Sequence, residues 1–259
     1  MKSFPRKTIH SEAPLLAVLL ISWPTFAYTQ TPVSVVAPPE AITIQDGNSS
    51  FAPFETSGRF QQVYDSSIFS VRFPPTAGLI QQVLFRVDIA GHGFRATIPN
   101  IQLNLSTTGR SADSLSTIFA NNVGSDDTTA LGPSSVLFLA GEGTFSVLFD
   151  VRDHPFYYDP AEGNLLIDFR INQGFGTIDP SQRVAILDAY NVAGDSISSI
   201  YASGNPGVLT GGETSSLGLA TVFIFTPVPE PSILVILSIG ALFLWVMLAL
   251  QRRRMKKGN

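Results

Sequence analysis

The sequence predicts an all-β chain: an antiparallel, jelly-roll-like β-sandwich with an N-terminal signal peptide and one C-terminal transmembrane helix. Three observations predict it. Short stretches of alternating apolar and polar residues recur from Gly58 to Phe225, separated by Gly- and Asp-rich turns, without a convincing amphipathic helix. The chain opens on a basic and then apolar segment. It closes on a charge-free run of membrane length followed by a basic cluster.

In chain order, Lys2, Arg6 and Lys7 form a basic start, Leu15–Ile21 a short apolar core, and Thr25-Phe26-Ala27 a small-residue cleavage signal. Residues 1–27 therefore read as a secretory signal peptide, too short in its apolar part to span a bilayer. Residues 28–57, Pro- and Val-rich at Thr29–Pro39, read as an extended lead-in. Residues 58–226 read as the sandwich. Phe60–Tyr64, Ile68–Phe73 and Leu79–Ile89 are predicted strands, with Pro74-Pro75 as a breaker before the third. Val83, Phe85, Val87 and Ile89 alternate with more polar neighbours, as do Ile101, Leu103 and Leu105, giving the period of a half-buried strand. Ser134–Leu139, Thr144–Val151, Leu165–Ile171, Arg183–Asp188, Ser196–Tyr201 and Leu217–Phe225 continue the series, and Leu115–Asn121 has room for one helical turn. This density of short strands and turns is that of a sandwich.

Residues 227–259 differ in kind. Ser232–Leu250 carries no charge, and its nineteen residues reach about 28 Å as a helix. Arg252, Arg253, Arg254, Lys256 and Lys257 follow in the 251–259 tail. Such a cluster stays cytoplasmic, which puts residues 28–228 outside. Just before the run stand Val228, Pro229, Glu230 and Pro231. Two prolines with fixed φ and no N–H hold this peptide extended and available to an enzyme.

The motif 228–231, the apolar run 232–250 and the basic tail, in that order, resemble the PEP-CTERM sorting signal. The resemblance covers about the last thirty residues. It implies recognition and cutting by exosortase, a membrane-embedded cysteine protease, with the ectodomain released or attached at the surface of a bacterium that makes extracellular polysaccharide. The blocks Ile98–Thr108, Phe119–Gly124 and Phe156–Leu166 resemble an ectodomain of secreted PEP-CTERM proteins, a resemblance that implies no activity.

Charge sharpens the picture. All four Lys lie in the two targeting segments, and residues 28–228 carry eight Arg against eighteen Asp and Glu, a net −10. That balance argues against nucleic acid as a partner. The absence of Cys excludes disulfides, thiolate metal sites and a cysteine nucleophile.

Catalytic constellations are missing from the sequence. The mature region has His92 in a Gly-flanked turn and His154 in Asp150-Val151-Arg152-Asp153-His154, with no nucleophile elbow and no zincin motif. No catalytic residue and no resident metal is expected. Asp126 and Asp127, near Asn121-Asn122, offer oxygen donors of the kind Ca2+ takes, but the EF-hand pattern is absent and turn hydrogen bonding is the ordinary use of such residues. Tyr157 and Tyr158, in Phe156-Tyr157-Tyr158-Asp159-Pro160, are candidate glycan contacts, or else a hydrophobic plug at one end of the sandwich. The sequence therefore reads as a non-enzymatic exported protein, held in the inner membrane as a precursor and then extracellular or at the cell surface. Its expected partners are exosortase, the membrane and exopolysaccharide or biofilm matrix. A glycan-binding module is the alternative, and a carboxylate-dependent hydrolase a further one.

Overall fold

The computed structural model describes residues 31–70, 77–91, 93–175, 185–212, 214–228 and 240–248. The chain is mostly β, and the strand pairings are antiparallel. In the first sheet β1 (Val33–Ala37), β13 (Thr221–Pro227), β4 (Gly78–Arg86) and β7 (Phe145–Asp150) lie side by side. β8 (Phe156–Tyr158) joins the same edge of β4 beyond the end of β7. The second sheet has the order β11 (Ile197–Ser203), β3 (Gly58–Tyr64), β9 (Asn164–Gln173), β5 (Phe94–Thr108), β6 (Thr128–Ala140). A small third sheet holds β12 (Leu217–Leu219), β10 (Leu187–Asn191) and β2 (Ser49–Phe51).

The two five-stranded sheets pack face to face through aromatic rings. Phe149 of β7 meets Phe169 of β9 at 4.6 Å between centroids, and Tyr64 of β3 meets Phe223 of β13 at 4.8 Å. Phe54 closes the group, with Phe169 at 5.1 Å and Phe149 at 5.4 Å. Tilted and edge-on contacts of this kind add to the large area each ring buries. Strand period explains which side chains arrive there. In β4, Ile80, Val83 and Phe85 point inward, and a bulge at Gln81 takes up the odd step between the first two.

The second sheet is covered on its other face as well. Val63, Leu166 and Ile200 pack there against Leu115 and Phe119. That is why β3 is buried at all seven positions. Asn122, fully buried, fastens the cover: it donates to Gln61 Oε1 at 3.0 Å and accepts from the Ser116 N–H at 2.7 Å. Arg59 lies over the Phe119 ring at 4.8 Å and makes a bidentate pair with Asp168, at 2.9 and 2.5 Å.

Several expectations need correction. Of the expected lead-in 28–57, the described residues 31–57 contribute strands, since β1 pairs with β13 and β2 with β10. Of the strand expected at Ile68–Phe73, residues 71–73 lie outside the described residues, and Ser67–Ser70 forms a helical turn, its start set by Ile68 and Phe69 N–H bonds to Asp65 and Ser66 carbonyls. Leu79–Ile89 is a strand only as far as Arg86, and Ile89–Gly91 turns into a 3-10 helix. Leu217–Phe225 is divided at Ala220 into β12 and β13, which belong to different sheets. Of the strand expected at Arg183–Asp188, residues 183–184 lie outside the described residues, and Leu187–Asn191 forms a strand. Phe119–Asn121 supplies the single helical turn expected within Leu115–Asn121.

The signal peptide and most of the predicted transmembrane helix lie outside the described residues. Residues 240–248 are helical. Among the described residues, no helix is long and apolar enough to cross a membrane.

Candidate functional site

Tyr157 and Asp126 are 31 residues apart in sequence, yet they line one cleft of about 290 Å³ together with Thr107, Ser125, Asp159 and Glu162. Its walls come from both main sheets. β8 brings Tyr157 from the first, and the end of β5 brings Thr107 from the second.

Local structure places each group. β8 pairs with Gly78–Ile80, so its three side chains alternate. Phe156 and Tyr158 turn into the core, and Tyr157 turns out, with 54% of its surface exposed. The Tyr158 ring stands edge-on to Phe69 at 4.8 Å and its hydroxyl donates to the Gly163 carbonyl at 2.9 Å. Burial pushes the Tyr158 hydroxyl well above its ordinary range, so it stays protonated. This short strand separates the two tyrosines. Tyr158 is part of the plug and is withdrawn as a ligand contact, while Tyr157 faces solvent.

The turn after β8 fixes the acids. Asp159 accepts from the Ala161 N–H through Oδ1 at 2.9 Å, and its carbonyl accepts from the Glu162 N–H at 3.0 Å. On the opposite wall, Asp126 Oδ1 accepts from the Thr107 N–H at 2.7 Å. Gly124 lets this loop approach: a Cβ there would stand 1.7 Å from the Thr107 carbonyl oxygen. Asp127 leaves the cleft and accepts from Asn104 Nδ2 through both oxygens, each at 3.1 Å. The 121–127 loop therefore uses its acids and amides on the chain itself. The cleft presents an exposed aromatic ring beside three carboxylates and two hydroxyls, and among the described residues no cationic side chain lines it. A flat ring takes the apolar face of a sugar, and carboxylate oxygens accept from its hydroxyls.

A second acidic group was not foreseen. Asp46, Asp88 and Asp188 bring ligand atoms within 4.8 Å of one another. Their spacing along the chain hides them in the sequence. Asp188 accepts from the Gly47 N–H at 2.7 Å and from Arg86 Nε at 2.6 Å, and Asp88 accepts from the Ala90 N–H at 2.7 Å. Burial raises the Asp188 carboxyl, opposed by the Gly47 N–H and Arg86. Arg86 also donates to the Ala41 and Ile44 carbonyls and to the Tyr190 hydroxyl. The group fastens residues 39–47 to β4 and β10. A cation would have to compete with the guanidinium already there.

The other residues singled out from sequence are scattered. His154 is exposed, and the Asp150 carboxylate near it in sequence is hydrogen-bonded by Arg152, which holds it below the usual carboxylate range. Val228 donates its N–H to the Ala77 carbonyl at 2.8 Å. Pro229, Glu230, Pro231, Arg252, Arg253, Arg254, Lys256, Lys257 and His92 lie outside the described residues. Comparison with protein-family models, curated proteins and solved structures finds no match to this chain.

Proposed function

We propose that the chain is a non-enzymatic exported protein of the PEP-CTERM kind, cut by exosortase and associated outside the cell with exopolysaccharide. In this reading residues 1–27 are removed on export, and a jelly-roll-like sandwich is delivered with residues 232–250 as a temporary membrane helix. The observation that carries it is the order of Val228–Pro231, the charge-free run and the Arg252–Lys257 cluster. Two features of the fold are compatible with it. Val33 pairs with Phe225, so the first strand starts where the last one ends. Val228, directly before Pro229, is still tied to the sandwich by its N–H bond to the Ala77 carbonyl. Replacing Pro229, Glu230 and Pro231 by Ala in the native host tests it. The expected result is full-length protein held in the membrane fraction; unchanged processing and delivery would sink the reading.

The cleft favours a second, sharper reading, in which the delivered protein binds glycan through Tyr157. Its acidic lining suits neutral or amino sugars and repels acidic ones. Tyr157→Ala is expected to weaken retention on the host's own polysaccharide tenfold or more, while Leu209→Ala, at an exposed position far along the chain, leaves it unchanged. Equal retention of both variants and wild type removes this reading and leaves the sorting proposal standing.

A further inference from the structure

The second sheet has two edges, and they are treated differently. At β11 the edge is closed by the 210–217 segment: the Gly212 N–H donates to the Tyr201 carbonyl at 3.0 Å, and Ser199 and Ser215 exchange bonds at 3.2 and 3.3 Å. At β6 the described residues pair with β5 alone. An edge strand left open presents a row of N–H and C=O groups that fits another strand. The first half of β6 is protected, because Pro133 removes a donor and the pairing with β5 shifts register between Ile98 and Asn104. Among the described residues, the second half has no such protection. From Val136 to Ala140 it pairs regularly with Phe94–Ile98. Its outward side chains include Leu137, 51% exposed, and Leu139, 65% exposed.

We propose that β6 is a self-association edge, pairing antiparallel with the same strand of a second copy to make one continuous sheet across a twofold axis. Charge identifies the occupant. Residues 28–228 carry a net −10, so two copies repel over most of their surfaces, but Thr128–Ala140 has no charged residue. A copy of this chain can approach there without meeting its own charge, whereas a basic partner finds nothing to complement. The strand is also self-complementary. With Phe138 on the axis, Leu137 of each copy stands opposite Leu139 of the other, so that four leucines leave water together.

The absence of Cys from the chain makes the test direct. The full chain in mild detergent, carrying Leu137→Cys with Leu139→Cys, is oxidised beside a Leu209→Cys control, whose site is likewise exposed. The expected result is a covalent dimer at least several-fold more abundant for the β6 pair, and a dimer of the Cys-free chain in sedimentation that Leu137→Lys disperses while circular dichroism shows the chain still folded. Cross-linking no greater than in the control, or a monomer that is unaltered by Leu137→Lys, overturns the proposal. A dimer that survives Leu137→Lys and cross-links no better at β6 assigns association to another surface and overturns it equally.

Discussion

Arg59, Gln61, Gln62 and Asp168 carry polar ends into the interior, and each finds a partner there. Gln62 acts as a missing strand, donating to the Leu219 carbonyl at 3.0 Å and accepting from its N–H at 2.8 Å. Removing one partner of a buried pair leaves the other charge uncompensated, so Asp168→Ala is expected to cost about 3–5 kcal/mol. The double change Arg59→Met with Asp168→Leu is expected to recover most of that loss; chemical denaturation of the three variants checks it. Asp195 behaves differently. Its Oδ1 accepts from the Ile197 N–H at 3.1 Å, but Oδ2 is buried without a partner, and Asp113 holds the adjacent Gly194 N–H at 2.8 Å. Burial first, and then the Asp113 and Glu40 charges, push its carboxyl up to about 7. Between the ordinary value of 3.8 and about 7 the folded chain keeps a proton that the unfolded chain has released. This contribution is complete below 3.8, falls across that window and is lost above 7. Asp195 is only half-buried, and solvent screening reduces the expected gain of Asp195→Asn at pH 8 to roughly 1–2 kcal/mol. Melting temperatures from pH 4 to pH 8 are expected to decline less steeply in Asp195→Asn; parallel declines contradict the account. None of these partnerships is legible in the sequence, where Arg-x-Gln-Gln in a strand reads as a solvent face. The partners of Arg59, Gln61 and Gln62 lie 58 to 157 residues away.

At the scale of the element, β8 shows what three residues of strand can decide. Two aromatics close the core and the third lines the cleft. Tyr158→Ala is expected to destabilise by about 3–5 kcal/mol, as loss of a large buried ring does. Tyr157→Ala is expected to stay within about 0.5 kcal/mol of wild type. Denaturation midpoints separate the two, and equal losses would mean that Tyr157 belongs to the plug as well. The sequence offered Phe-Tyr-Tyr as one cluster because Pro155 and Pro160 on either side look like loop punctuation. The missed signal was alternation across the three residues. β1 and β2 were missed for a related reason: their few residues sit among Pro, Gly and Ser, and only pairing with β13 and β10 makes them strands. Long strands such as β4 and β9 were legible, because an apolar face on a two-residue period survives bulges and buried polar exceptions.

At the scale of the whole molecule, the all-β character was legible from turn spacing and alternation, but the arrangement was not. The division of Leu217–Phe225 between two sheets and the loop layer over the second sheet depend on contacts far apart in sequence. The cleft was half legible: Tyr157 and Asp126 were singled out, while Asp159 and Glu162 join them only through the turn that follows β8. The folded unit is closed by the β1–β13 pairing, and everything proposed about destination resides in the segments beyond it. The central claim is that those segments are removed. Intact-mass measurement of the protein recovered from the surface and medium of its native host tests this most directly. The account predicts a species that lacks residues 1–27 and ends near Glu230 and Pro231, without Arg252–Asn259. A mature surface protein that retains Arg252–Asn259 would contradict it.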